Sequence, residues 1–191
     1  MGQLQVRETA LAGVCVIEAR RFGDARGFFC ETYSVRDFAA AGLTCAFVQD
    51  NHSLSGPVGT LRGLHMQLAP RAQAKLIRVV RGRIFDVAVD VRPGSATFGR
   101  WTGLELSAEN GLQLYIPPGF LHGFVTREPE TEVVYKCSDY YAPECECGVH
   151  FADPDLGIDW GIDPAAAILS AKDAAAPPFA GEAQARIQAA G

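Results

Sequence analysis

Residues 75–91 read KLIRVVRGRIFDVAVDV. Two runs rich in β-branched residues flank Arg81-Gly82, and a glycine at such a junction signals a β-hairpin. Strand side chains alternate between faces. Phe85, Val87 and Val89 therefore share one face of the second run, and Asp86, Ala88 and Asp90 the other. Working outward, GLQLYIPP (111–118) reads as a strand stopped by two prolines, and FLHGFV (120–125) and TEVVYKC (131–137) continue the pattern. Turn signals recur at Gly56-Pro57, Gly63, Pro93-Gly94, Pro117-Pro118-Gly119 and Pro129. Short strands with turns at this spacing predict an all-β sandwich or barrel of antiparallel strands. Helix signals are few. SVRDFAAA (34–41) has an N-cap serine and two turns before Gly42. The alanine-rich chain after Asp163 has a double proline at its centre and is expected to wrap the barrel as irregular chain with short helical turns. The expectation is one domain over 1–191, with an N-terminal strand or arm over about 1–13 and a tail over about 174–191.

Composition narrows the class. Of 191 residues, 48% are hydrophobic and 20% charged, which excludes a disordered chain, and 20 Gly with 11 Pro argue against a coiled coil. A net charge of -5 argues against nucleic acid as a partner. No apolar run matches a signal peptide or a membrane span, so a cytoplasmic location with no membrane partner is expected. Cys15, Cys30, Cys45, Cys137, Cys145 and Cys147 form no CxxC pair, and reduced structural thiols are expected. Of the 17 basic residues only Lys75, Lys136 and Lys172 are lysines. Where arginine dominates, a remaining lysine hints at a site that wants a compact ammonium.

The chemistry-bearing residues point to proton transfer. No G-x-S-x-G elbow, no P-loop and no strand–GxGxxG–helix unit occurs. No His-x-His occurs either, so no metal is expected. Among four histidines, His65 follows Gly63 in TLRGLHMQ and His122 follows a Pro-Pro-Gly turn in PPGFLHGF. Both lie in strand-like segments, and inward polar residues of a barrel line its mouth. Histidine, tyrosine, aspartate and lysine in an enclosed barrel suit acid–base work.

Taken together, FGDARGFFCETY (22–33), FVQDNHSLS (47–55), TLRGLHMQ (60–67), the 72–92 stretch, LSAENGLQLYIPPGFLHGF (106–124), VVYKCSDYYAPECECGV (133–149), DPDLGIDW (153–160) and LSAKD (169–173) resemble the dTDP-4-dehydrorhamnose 3,5-epimerase family. The resemblance runs from about residue 14 to residue 173. It implies a cupin-type jelly roll, no cofactor, and a nucleotide sugar whose 4-ketone acidifies the protons at C3 and C5. It further implies His65 as the base, Asp173 as the carboxylate that orients it, Tyr135 as the proton donor on the opposite face, and Lys75 at the enolate oxygen. Arg26, Glu31, Gln49, Asp50, Asn51, Arg62, His122, Glu146 and Lys172 match substrate contacts, and Tyr141 matches a ring that stacks on thymine. Some of these contacts come from a neighbouring subunit in the family, which implies a homodimer. Met66, Pro118 and Gly161 depart from the family pattern and leave the inverted centres open. The alternatives are a related enzyme acting at one centre or isomerising the ketone, and a non-catalytic sugar-nucleotide binding module.

Overall fold

Residues 4–190 are described by the computed structural model. The expected arm over 1–13 therefore has its residues 1–3 outside the described residues, and Gly191 of the expected tail lies outside them too. The strands are β1 (Leu4–Glu8), β2 (Cys15–Ala19), β3 (Arg21–Asp24), β4 (Gly27–Cys30), β5 (Gln49–Ser55), β6 (Leu61–Gln67) and β7 (Lys75–Arg81). They continue with β8 (Arg83–Asp90), β9 (Trp101–Ser107), β10 (Leu112–Ile116), β11 (Phe120–Thr126), β12 (Thr131–Cys137) and β13 (Glu146–Gly148). One sheet runs β1-β2-β10-β7-β12-β5, and the other runs β13-β6-β11-β8-β9. Every pairing between these strands is antiparallel, and β3 and β4 form a separate ribbon. The two sheets stack as the jelly roll of an all-β, cupin-type fold.

The hairpin expected over 75–91 does not form. β7 pairs with β10 and β12 in one sheet, whereas β8 pairs with β11 and β9 in the other. Burial explains the difference. Ile84 and Ala88 pack between the sheets with Ile77, Leu114 and Val133, while Val87 and Val89 pack outward with Phe151, Trp160 and Phe179. A strand apolar on both faces is satisfied in the middle of a covered sheet, not at a hairpin edge. Gly82, at φ +74°, carries the chain from one sheet to the other, and Thr131 leaves no room there for a Cβ.

The helices are short. α1 (Val35–Ala40) starts at Ser34, whose hydroxyl accepts from the Asp37 amide at 3.4 Å, and it buries Phe38 against the outer face of the six-stranded sheet. The chain beyond Asp163 runs as short helical pieces joined by irregular chain. It holds α2 (Ala171–Ala174), a kinked turn over Phe179–Ala183, and α3 (Gln184–Ala189). Phe179, Ala183 and Ile187 cover the outer face of the five-stranded sheet. Gly161 stands at φ +62° with its carbonyl facing the Arg127 guanidinium, a backbone that proline cannot adopt.

β6 carries an irregularity that decides the site. His122 pairs with His65 but Phe124 pairs with Arg62, so three steps on β6 match two on β11. The extra residue resets the alternation. Leu61, Leu64 and Met66 join the outer core, while Arg62 and His65 line the space between the sheets.

At the end of β8, the wholly buried Asp90 organises the loop to β9. Its carboxylate accepts from the Arg92 amide and guanidinium, Ser95 Oγ and Thr97 Oγ1 at 2.5–3.0 Å. Burial alone would raise its pKa, but these hydrogen bonds outweigh it and hold the carboxyl well below the usual carboxylate range. A depressed native pKa stabilises the fold above the unfolded value, near 4, and that contribution fades as pH falls. Asp90→Asn is expected to lose about 1–3 kcal/mol at pH 7. In urea titrations the gap to the parent should narrow below about pH 4; a pH-independent gap would contradict the ionised state.

Candidate active site

At one end of the sandwich the inner faces of the two sheets turn from apolar to polar. There, two adjoining cavities of about 320 and 250 Å³ share His65, Lys75 and Tyr135 as walls. Alternation explains which residues arrive. On β5, Gln49, Asn51 and Ser53 face the cleft, and on β12 Tyr135 and Cys137 do. β7 supplies Lys75, β6 supplies Arg62 and His65, and β11 supplies His122.

His65 is held from far along the chain. Its Nε2 lies 2.6 Å from Asp173 Oδ1, and Ser170 Oγ donates to Asp173 Oδ2 at 2.9 Å. Asp173 is only 4% exposed. Burial raises its pKa, yet the His65 hydrogen bond and charge, with Ser170 and Lys172, bring it below the ordinary value. It is an anion at neutral pH. An ionised Asp173 can only accept, so the Nε2–H of His65 donates to it and Nδ1 is the ring nitrogen turned to the cleft.

Three further groups bear on reactivity. Burial raises the Tyr135 pKa, so its hydroxyl stays protonated. Burial lowers the Lys75 pKa, while the charges of Cys137, Asp86 and Glu146 act in the opposite direction. Burial also pushes His122 down against the pull of Asp86, whose Oδ1 lies 2.7 Å from His122 Nε2. At the mouth, Glu146 Oε2 accepts from Tyr141 at 2.9 Å and from Lys172 at 2.5 Å. These bonds overcome its burial and lower its pKa. The exposed Tyr141 ring stands at the rim.

Eleven of the residues singled out in the sequence thus meet around the two cavities: Gln49, Asn51, Arg62, His65, Lys75, His122, Tyr135, Tyr141, Glu146, Lys172 and Asp173. Three do not. Asp50 sits between Gln49 and Asn51 and faces away by alternation, where it pairs with Lys136 at 3.2 Å. Arg26 is 90% exposed at the tip of the β3–β4 ribbon, paired with Asp24, and Glu31 follows that ribbon near Arg36. Sequence reasoning missed Asp86, Ser170 and Gln67. Gln67 ties the 138–142 loop to β6 by donating to Tyr140 O at 3.2 Å and accepting from the Ala142 amide at 2.8 Å. Ser170 was legible as a helix cap three residues before Asp173. Asp86 shared a face with Ala88 and Asp90, but nothing in the pattern marked that face as inward.

Among the described residues, no three His, Cys, Asp or Glu side chains converge as a metal set, and no helix is long and apolar enough to cross a membrane.

The sequence and the fold are similar to those of known proteins. Residues 8–181 match the family described as dTDP-4-dehydrorhamnose 3,5-epimerase. The chain is 49% identical to the dTDP-4-dehydrorhamnose 3,5-epimerase of Pseudomonas aeruginosa over 93% of its own length and 97% of the relative's. The crystal structure of the Elizabethkingia anophelis enzyme of that name superposes with a TM-score of 0.88 at 48% identity, over 93% of this chain and 97% of that one. The Legionella pneumophila enzyme, a dTDP-6-deoxy-D-glucose-3,5-epimerase solved in complex with dTDP-4-keto-L-rhamnose, superposes with a TM-score of 0.87 at 45% identity. The coverage is 92% of this chain and 93% of that one. With a cleft built for proton transfer and relatives that match along nearly its whole length, the chain belongs to the dTDP-4-dehydrorhamnose 3,5-epimerase family.

Proposed function

We propose that the chain inverts C3 and C5 of dTDP-4-dehydro-6-deoxy-D-glucose, giving dTDP-4-dehydro-L-rhamnose through enolate intermediates. The observation that carries this reading is the His65–Asp173 pair, 2.6 Å apart, in one cleft with Tyr135 and Lys75. His65 Nδ1 removes the proton next to the ketone. The imidazolium that forms lies against the Asp173 carboxylate, which stabilises it, as carboxylates do in catalytic triads. The electron pair moves to the ketone oxygen, and the Lys75 ammonium offsets the growing charge. Tyr135 returns a proton from the other face, and its burial keeps that proton available at neutral pH. The ketone already present makes a redox step unnecessary. Arg62 and Lys172 suit the diphosphate, and Tyr141 suits the base.

The β3–β4 ribbon supports a homodimer in which each chain completes its partner's cleft with Arg26 and Glu31. Phe28 and Phe29 on that ribbon are 63% and 68% exposed, an apolar patch at odds with an isolated chain.

Incubation with the 4-keto-6-deoxyglucose nucleotide in heavy water is expected to place deuterium at both C3 and C5, read by NMR. Label at one centre only would instead favour a single-centre enzyme, and none at either would sink the proposal. His65→Asn is expected to lower exchange about 10³-fold or more with nucleotide affinity largely retained, because a base acts in the transition state. Tyr135→Phe should impair inversion at C5 more than wash-out of label at C3, and equal loss at both would contradict separate acid and base faces. The dimer has its own test. Co-expressed Arg26→Ala and His65→Asn chains should regain activity that neither homodimer has, since one cleft of the mixed pair is intact. No recovery would mean that Arg26 serves its own chain's cleft.

A further inference from the structure

Asp86 is a wholly buried carboxylate on the inner face of β8. One oxygen meets His122, and the other, Oδ2, has no hydrogen-bond partner among the described residues. A buried carboxylate with an orphan oxygen is costly, so it calls for a compensating charge or a function. His122 lies directly opposite His65 across the β6–β11 ladder, and its ring lines the cleft. Its Nε2 is taken by Asp86, and its Nδ1 makes no hydrogen bond among the described residues.

The charged groups around this floor leave a mismatch. β6 contributes Arg62 and His65, α2 contributes Lys172 and Asp173, β13 contributes Glu146, and β12 contributes Tyr135 and Cys137. Asp173 is occupied by His65 and Ser170, and Glu146 by Lys172 and Tyr141. Among the described residues, Lys75 on β7 has no carboxylate in contact, and Asp86 has no lysine or arginine in contact. The two stand on facing sheets, Lys75 lining the cleft and Asp86 just behind the His122 ring, close enough for the Asp86 charge to act on the Lys75 ammonium.

We propose that Asp86 is a positioning residue for the epimerase reaction. Its hydrogen bond fixes His122 as an uncharged ring whose Nδ1 accepts from a donor in the cleft, and its charge keeps Lys75 an ammonium. The proposal rests on the reading under Proposed function and extends it. Burial disfavours a charged His122, and Asp86, as acceptor, places the ring's single proton on Nε2. An uncharged acceptor suits a sugar hydroxyl or the Lys75 ammonium and does not suit phosphate. The diphosphate is left to the arginines and Lys172, and His122 reads the sugar.

The test compares the parent with Asp86→Asn, a change that removes the charge and nearly conserves shape. Burial lowers the Lys75 pKa and raises that of Tyr135, so the alkaline limb of kcat/KM for label exchange reports Lys75. In Asp86→Asn this limb is expected to move to lower pH by about one unit. At pH 7 kcat should fall roughly tenfold to a hundredfold with KM nearly unchanged. An unmoved limb in a folded variant overturns the proposal, because a merely structural residue would not shift it. A second measurement needs no variant. Nitrogen-15 NMR of the parent at pH 7 should find His122 neutral with its proton on Nε2, and an imidazolium or an Nδ1-protonated ring overturns the assignment. If the parent exchanges neither C3 nor C5, the epimerase reading fails, while the NMR result still decides the state of His122.

Discussion

The backbones of β6 and β11 touch at Gly63 and Gly123, and the site hangs on that contact. A Cβ on Gly63 would stand 2.5 Å from Gly123 Cα and 2.8 Å from His122 O, and the Gly63 φ of +131° disfavours any side chain. Only paired glycines let the two strands approach while β6 carries its extra residue. In a regular strand with His65 facing inward, Leu61 would face the polar cleft and Arg62 the apolar layer outside. The bulge exchanges them, so that Leu61 is buried with Val87 and Trp160 while Arg62 reaches the cleft and braces on Ser55 and Leu54 O. Register slips in a sheet move a whole hydrophobic set to the wrong face. Here one such slip, confined to two residues, separates His65 from its apolar neighbours.

That geometry leads to an electrostatic division of the interior. The inter-sheet space is apolar where Ile77, Leu114, Phe124 and Val133 meet, and polar at the end where Lys75, Tyr135 and His122 point inward. Charges placed in such a space interact strongly because little water screens them. The same burial acts in opposite senses on acids and bases. It raises the pKa of Tyr135 and so preserves its proton, and it lowers the pKa of Lys75 and His122, which makes both sensitive to a neighbouring carboxylate. Asp86 comes from β8 itself, whereas two further carboxylates come from elements outside the apolar core: Asp173 from a four-residue helix, Glu146 from a three-residue edge strand. Asp173 and Glu146 both arrive already hydrogen-bonded, which offsets the cost of burying them.

Much of this was legible in the sequence, and the gaps have physical causes. Alternation in 83–90 and 131–137 correctly separates Asp86 from Val87 and Tyr135 from Lys136, because a period of two needs no long-range information. Whether consecutive strands pair is a long-range matter. The Arg81-Gly82 junction looks like a hairpin, yet Gly82 leads from one sheet to the other, and only the burial of both faces of β8 reveals it. The bulge at Gly63 was visible as a turn signal but not as a change of face. Of the Gln49-Asp50-Asn51 run, neighbours in a strand cannot all face one cleft, and Asp50 is the one turned away. Contacts supplied by a neighbouring chain, as argued for Arg26 and Glu31, have no signature in a single sequence at all.

The segment beyond Ile168 shows how far the site depends on chain remote from it. Ile168 bridges Thr60 just before β6, Ser170 caps α2, and Asp173 then meets His65 across 108 positions of sequence. A four-residue helix has too few hydrogen bonds to hold itself. What holds it lies on either side: the bridge before it and, after it, Phe179, Ala183 and Ile187 buried over the five-stranded sheet. The Phe179 amide donates to Asp153 at 2.8 Å, and Arg186 donates to the Glu146 carbonyl at 3.0 Å, on the strand whose side chain pairs with Lys172. Ordering this alanine-rich chain costs conformational entropy that its own small side chains cannot offset. Three buried apolar residues and two long-range hydrogen bonds offset that cost, and the same contacts set the position of the carboxylate. The stability of the tail and the orientation of His65 are therefore linked: Phe179 and Ile187, which line neither cavity, anchor the chain that brings Asp173 against His65.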